Sequence, residues 1–179
     1  MTLPLIFALL ALAVMVFLLL AARGQSVAVH NLQELEGRTQ PVDLDAFRNL
    51  TDPQEEKYLK ERLAPADFRA IQRERLHAAL GYVRRVAHNA SILLRLGEAA
   101  RRNADPEVAR AAGELVESAL RLRMYSLLAM GLLHARILVP DVSWSLAGVA
   151  ADYQGLRDHV ARLSRLQLPA QAGRISAAL

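Results

Sequence analysis

APADFRAIQRERLHAALGYVRRVAHNASILLRLGEAARRN, residues 64–103, runs for forty residues with no Pro beyond its first turn and only Gly81 and Gly97 as glycines. Apolar side chains recur at Phe68, Ile71, Leu76, Leu80, Val83, Ala87, Ala90, Leu94 and, more weakly, Ala99, at gaps mostly of three or four. That spacing predicts one long amphipathic helix. Pro65 sits in its first turn, and Asp67 faces the positive end of the helix dipole.

The same start signals recur on both sides. Helical character begins at Asp43, and Asp52-Pro53-Gln54-Glu55 supplies a capping carboxylate, a proline at the first helical position and an acid in the first turn. That helix is expected to reach about Leu63. Downstream, Asn103-Ala104-Asp105-Pro106-Glu107 provides a loop, a cap and a second start, with the helix running to Val139 before Pro140. Asp141 or Ser143 then caps a third long segment through about Leu166, with Trp144 near its start as a packing anchor. No alternating β-branched run bounded by turns occurs, so no sheet is expected. Long helices with short connections fold back as antiparallel neighbours. The expected fold is all-α: an N-terminal transmembrane helix, then an antiparallel bundle of three long helices preceded by one or two short ones.

The transmembrane expectation rests on LPLIFALLALAVMVFLLLAA, Leu3 to Ala22, which carries no charged or strongly polar side chain. As a helix it is about 30 Å long, the thickness of a bilayer's hydrocarbon core. A secretory signal has a basic start, a shorter apolar core and a small-x-small cleavage site. Here Met1 to Pro4 carries no Lys or Arg, and Leu20-Ala21-Ala22 puts a bulky residue where a small one is preferred. A retained anchor is therefore favoured over a cleaved signal. Arg23 and Arg38 beyond the segment favour a cytoplasmic body at the inner cell membrane; cleavage or inversion would make it periplasmic or exported. The chain accordingly divides into an anchor at 1–23, a juxtamembrane linker at 24–41, a bundle domain at 42–166 and a flexible tail at 167–179.

Composition narrows the class further. The chain of 179 residues has no Cys, which excludes disulfides and thiolate metal sites but suits either compartment. Aromatics are only 5 %, so the body is built on Leu, Ala and Val. Between Asn31 and Asp67 nine carboxylates face five cations, whereas Phe68 to Ala104 holds eight arginines and two glutamates. The simplest interpretation sets an acidic leading segment against a basic helix. The alternative is anionic lipid contact through Arg69, Arg73, Arg84, Arg85, Arg95, Arg101 and Arg102, since basic residues beside a leaflet attract its headgroups.

MYSLLAMGLLHA, Met124 to Ala135, is apolar on all sides of its helix apart from Ser126 and His134. Its twelve residues are too few to span a bilayer. Burial by a neighbouring helix is the expectation for such a segment, with Gly131 and Ala135 admitting a close approach. The functional alternative is a self-association or partner surface made by Met124, Leu127, Leu128, Gly131, Leu132 and Ala135.

Chemistry-bearing patterns are sparse. Glu74-Arg75-Leu76-His77 has the Glu-x-x-His spacing of di-iron bundles, but that architecture needs a second copy, which the chain lacks. His77 and His88 lie three turns apart, about 16 Å by helical rise, and do not share an ion. His134 reads as a core histidine and His159 as a solvated one. No phosphate-cradling or dinucleotide-binding glycine motif and no nucleophile elbow occurs. Arg84-Arg85 and Arg101-Arg102 have only Tyr82 nearby as a stacking ring, which argues against nucleic acid. The expectation is a non-catalytic, membrane-anchored interaction or scaffolding protein with no cofactor or metal, which forms a homo-oligomer or binds a protein partner. Behind it stand a sensor of anionic lipid and, further back, a helical enzyme using His77, His88 or His134.

Overall fold

Asp43 opens the first helix by accepting from the backbone N–H groups of Asp45 and Ala46 at 3.1 and 3.0 Å. The computed structural model describes residues 37–138 and 147–167, and every regular element among them is helical. These elements are α1 (Leu44–Leu50), α2 (Pro53–Arg62), α3 (Pro65–Ala100), α4 (Pro106–Leu138) and α5 (Ala147–Gln167). Two short helices thus precede three long ones, and no strand occurs among the described residues. The apolar run Leu3 to Ala22, Trp144, the expected caps Asp141 and Ser143, and residues 168–179 lie outside the described residues. Among the described residues no helix is long and apolar enough to cross a membrane.

The sequence signals at two other starts act through visible bonds, whereas α3 opens on Ala64 and Pro65 with no side-chain cap. Asp52 accepts from Gln54 N–H at 2.9 Å, and Asp105 accepts from Glu107 N–H at 2.9 Å. Each thereby satisfies an amide that the first helical turn leaves without a partner. The long helices α3 and α4 form a hairpin through the turn at 101–105. Gly97 marks its tightest point: a Cβ there would lie 2.7 Å from Val116 Cγ2 and 3.2 Å from the Ala112 carbonyl. The two backbones approach closely only because Gly97 has no side chain.

Along α5, Ala150, Tyr153, Leu156, Val160 and Leu163 are buried. Their spacing of three and four presses one stripe against α4. Arg162 donates to Glu114 at 2.6 Å, while His159 lies near Ser118. These pairings run in opposite directions along the two chains, so α5 is antiparallel to α4. In the short leading helices, α1 inserts Phe47 into the core, where its ring meets Tyr82 at 6.0 Å between centroids. Arg75, 11 % exposed, bonds the carbonyls of Asn49 and Leu50 at the end of α1 and pairs with Glu55 of α2 at 3.1 Å.

Several side chains depart from the sequence expectation. On α3, Ile71 is exposed and Ala87 and Leu94 only partly buried, whereas Ala79, Val86, Asn89, Ile92, Leu93 and Leu96 join the buried face. The buried stripe is wider than a three-four count suggests because both α4 and the leading segment pack on α3. His134 is exposed rather than in the core; its Nδ1–H donates to the Met130 carbonyl of its own helix at 2.7 Å. His159 is half-buried rather than solvated, with its Nδ1–H on the Gly155 carbonyl at 2.7 Å. Where the acidic leading segment meets the basic helix, Glu55 pairs with Arg75; Glu56 instead pairs with Arg136 of α4.

Candidate functional site

The stretch Met124 to Ala135 is divided by its helix into two faces. Ser126, Ala129 and Leu133 are buried, and Met130 packs against the core from a half-buried position. On the other side Leu120 is 47 % exposed, Met124 62 %, Tyr125 44 %, Leu128 60 % and Leu138 80 %. Gly131 and Ala135 are exposed between them, and Leu127 and Leu132 flank them half-buried. Positions 120, 124, 128, 131, 135 and 138 follow the three-four repeat and therefore form one line along α4. That line points away from the helices α4 packs against.

A lone exposed leucine means little, but a continuous apolar strip on a soluble surface marks a contact site. Charge placement sharpens the point, since no Asp, Glu, Lys or Arg occurs from Met124 through Ala135. Below the strip, Glu117 and Arg121 pair with each other at 3.0 Å and bound it with polar groups. The expected close approach at Gly131 is corrected: a Cβ there would meet nothing within 4 Å. Among the described glycines, the tight contact belongs to Gly97 instead. Full burial of the stretch by a neighbouring helix is likewise not what the packing gives, because α3 and α5 occupy only one side of α4.

At about 100° per residue Arg69, Arg73, Arg84 and Arg95 fall within about 80° of one another around the axis of α3, and Arg85 turns away from them. Arg69, Arg73, Arg84, Arg85, Arg101 and Arg102 are exposed and Arg95 is half-buried. Arg84 and Arg85 diverge by about 100° around the helix. Arg85 lies over the Tyr82 ring at 5.5 Å, and Arg101 sits 3.6 Å from Glu98. Arg69 and Arg73 instead border a cleft among α2, α3 and the end of α4. Glu74 and His77 are exposed on α3, and no group of three potential metal ligands occurs among the described residues.

Two features escaped the sequence reading. One is the cleft, assembled from three helices distant in sequence. The other is Asn89, fully buried, whose Oδ1 accepts from Gln40 N–H at 2.8 Å while its Nδ2–H2 donates to the Gln40 carbonyl and the Tyr153 hydroxyl, both at 2.7 Å. His88 Nε2–H donates to the Arg38 carbonyl at 3.0 Å beside it. The backbone at 38–40 is thereby fastened to α3. Tyr153 is pushed above its ordinary pKa by burial, against the lowering effects of the Asn89 hydrogen bond and the Arg157 charge. A polar amide beside Ala90 on an otherwise apolar face was the available signal for this network.

Comparison of the chain with protein-family models, with curated proteins and with solved structures finds no match in any of the three.

Proposed function

We propose that this chain is a membrane-anchored helical interaction module that associates with a second copy of itself through the outer face of α4. The observation that carries the proposal is the exposed apolar line from Leu120 to Leu138, free of charged residues from Met124 through Ala135. Such a line is self-complementary: two copies pack leucine and methionine ridges into the gaps over Gly131 and Ala135. Leu3 to Ala22 acts as a retained anchor, holds the body at the inner face of the cell membrane and confines it to two dimensions. Confinement raises effective concentration, so an interface of modest area suffices. Reading the module as a lipid sensor has less support, because Arg69 and Arg73 border the cleft, Arg85 lies over the Tyr82 ring and Arg101 is paired with Glu98.

The absence of native cysteine makes the test clean. Single substitutions Met124→Cys, Leu128→Cys and Gly131→Cys are oxidised in native membranes, with Asp158→Cys on the exposed side of α5 as the control. Disulfide-linked dimers are expected for the α4 series and not for the control. Cross-linking that is absent throughout, or equal at all four positions, rejects the α4 interface. Extraction by alkaline carbonate tests the anchor separately, since an integral protein stays in the membrane pellet.

A further inference from the structure

We propose that the cleft between α2, the first half of α3 and the end of α4 binds a small organic anion with a hydrocarbon body, a carboxylate or a phosphate monoester. The cleft encloses about 560 Å³, within the ordinary range for small-molecule sites. It arises from unequal helix lengths. The helices α3 and α4 have 36 and 33 residues and α5 has 21, so α5 runs beside α4 only to about Met130, and the far end of the hairpin is covered by the shorter α2.

The walls are of two kinds. Leu63, Phe68, Leu76 and Ile137 supply apolar surface, while Lys60, Arg69, Arg73 and Arg136 face it with Glu56 as the only carboxylate among the lining residues. Arg136 Nη2–H donates to Glu56 Oε1 at 2.5 Å, and their side chains are only 15 % and 30 % exposed. That bond holds the guanidinium in place yet leaves its Nε–H buried without a partner. Gln72 Oε1, from another lining residue, is also buried without one. Two of the three such side-chain atoms among the described residues therefore belong to this cleft, and buried polar groups are ordinarily bonded.

An anionic headgroup answers these groups together. Its oxygens accept from Arg136 Nε–H and from the rim cations, as charge-assisted bonds. The Gln72 amide turns either its oxygen to a ligand hydroxyl or its NH2 to the anion. The hydrocarbon body then covers Phe68, Leu76 and Ile137. One carboxylate does not neutralise four cations, so a second negative charge is favoured where Glu56 leaves room.

The test titrates the full chain in phosphatidylcholine nanodiscs by calorimetry, with empty discs as blank. Octyl phosphate is expected to bind saturably, and inorganic phosphate and neutral octyl glucoside roughly tenfold more weakly or worse. Arg69→Gln with Arg73→Gln, both exposed and so harmless to folding, is expected to weaken octyl phosphate by roughly tenfold. Arg84→Gln with Arg85→Gln, on the same helix outside the cleft, leaves the affinity unchanged. Phosphatidic acid placed in the discs competes if the headgroup comes from the leaflet, and does not if the ligand is a dissolved anion. The proposal is overturned by absence of saturable binding, by equal binding of inorganic phosphate, or by equal loss in the two double variants.

Discussion

Asn89 is the residue whose removal is felt furthest. Asn89→Leu strands the Gln40 amide and carbonyl and removes a bond to the Tyr153 hydroxyl, groups 49 and 64 positions away in sequence. Leaving such groups unpaired costs about 3 kcal/mol in all, read as a fall in melting temperature of roughly 8 °C. The same network gives a pH signature. Tyr153 has its pKa raised from 10.0 in the folded chain, so the folded state holds this proton more tightly than the unfolded state. Its contribution is complete below pH 10 and is lost as pH rises through the raised value; Tyr153→Phe is expected to flatten that alkaline decline in thermal melts. Ser126, buried with its hydroxyl unpartnered, gives the opposite sign. Ser126→Ala removes an unsatisfied group and is expected to raise stability by about 1 kcal/mol. Asp52 and Asp105 were legible as caps because each acts within two residues of itself. The role of Asn89 was not, because its partners lie on other elements.

Two glycines separate the faces of the long helices. Gly97→Ala forces a methyl against Val116 and the Ala112 carbonyl, and Val116 has little freedom to turn aside. Destabilisation by about 1 to 2 kcal/mol is expected. Gly131→Ala places the same methyl in open space and gains helix propensity, so a stabilisation of about 0.5 to 1 kcal/mol is expected. Measuring both in a Leu128→Glu background keeps assembly out of the comparison. Opposite signs for one substitution in neighbouring helices would establish which side of α4 is open. The periodicity of α3 and the Pro starts made these elements readable. The exposed side of α4 was less so, since a segment apolar all round looks the same whether a neighbour covers one side or both.

At the scale of the molecule, the all-α architecture with two short and three long helices was legible from caps and spacing, because helix start signals are local. The cleft was not, because it depends on where α5 sits along the hairpin and on α2 lying beside the start of α3, which only packing reveals. Both features follow from one cause: three long helices leave the outside of α4 uncovered along its length and the far end of the hairpin half covered. The central claim is that the uncovered side is a self-association surface. Light scattering of the full chain in neutral detergent tests it most directly, comparing wild type with Leu128→Glu at matched concentration and melting temperature. Wild type is predicted to show a protein mass of at least twice the 19.7 kDa chain, and Leu128→Glu a single chain with its melting temperature unchanged. Equal masses for the two proteins, with equal melting temperatures, would contradict it.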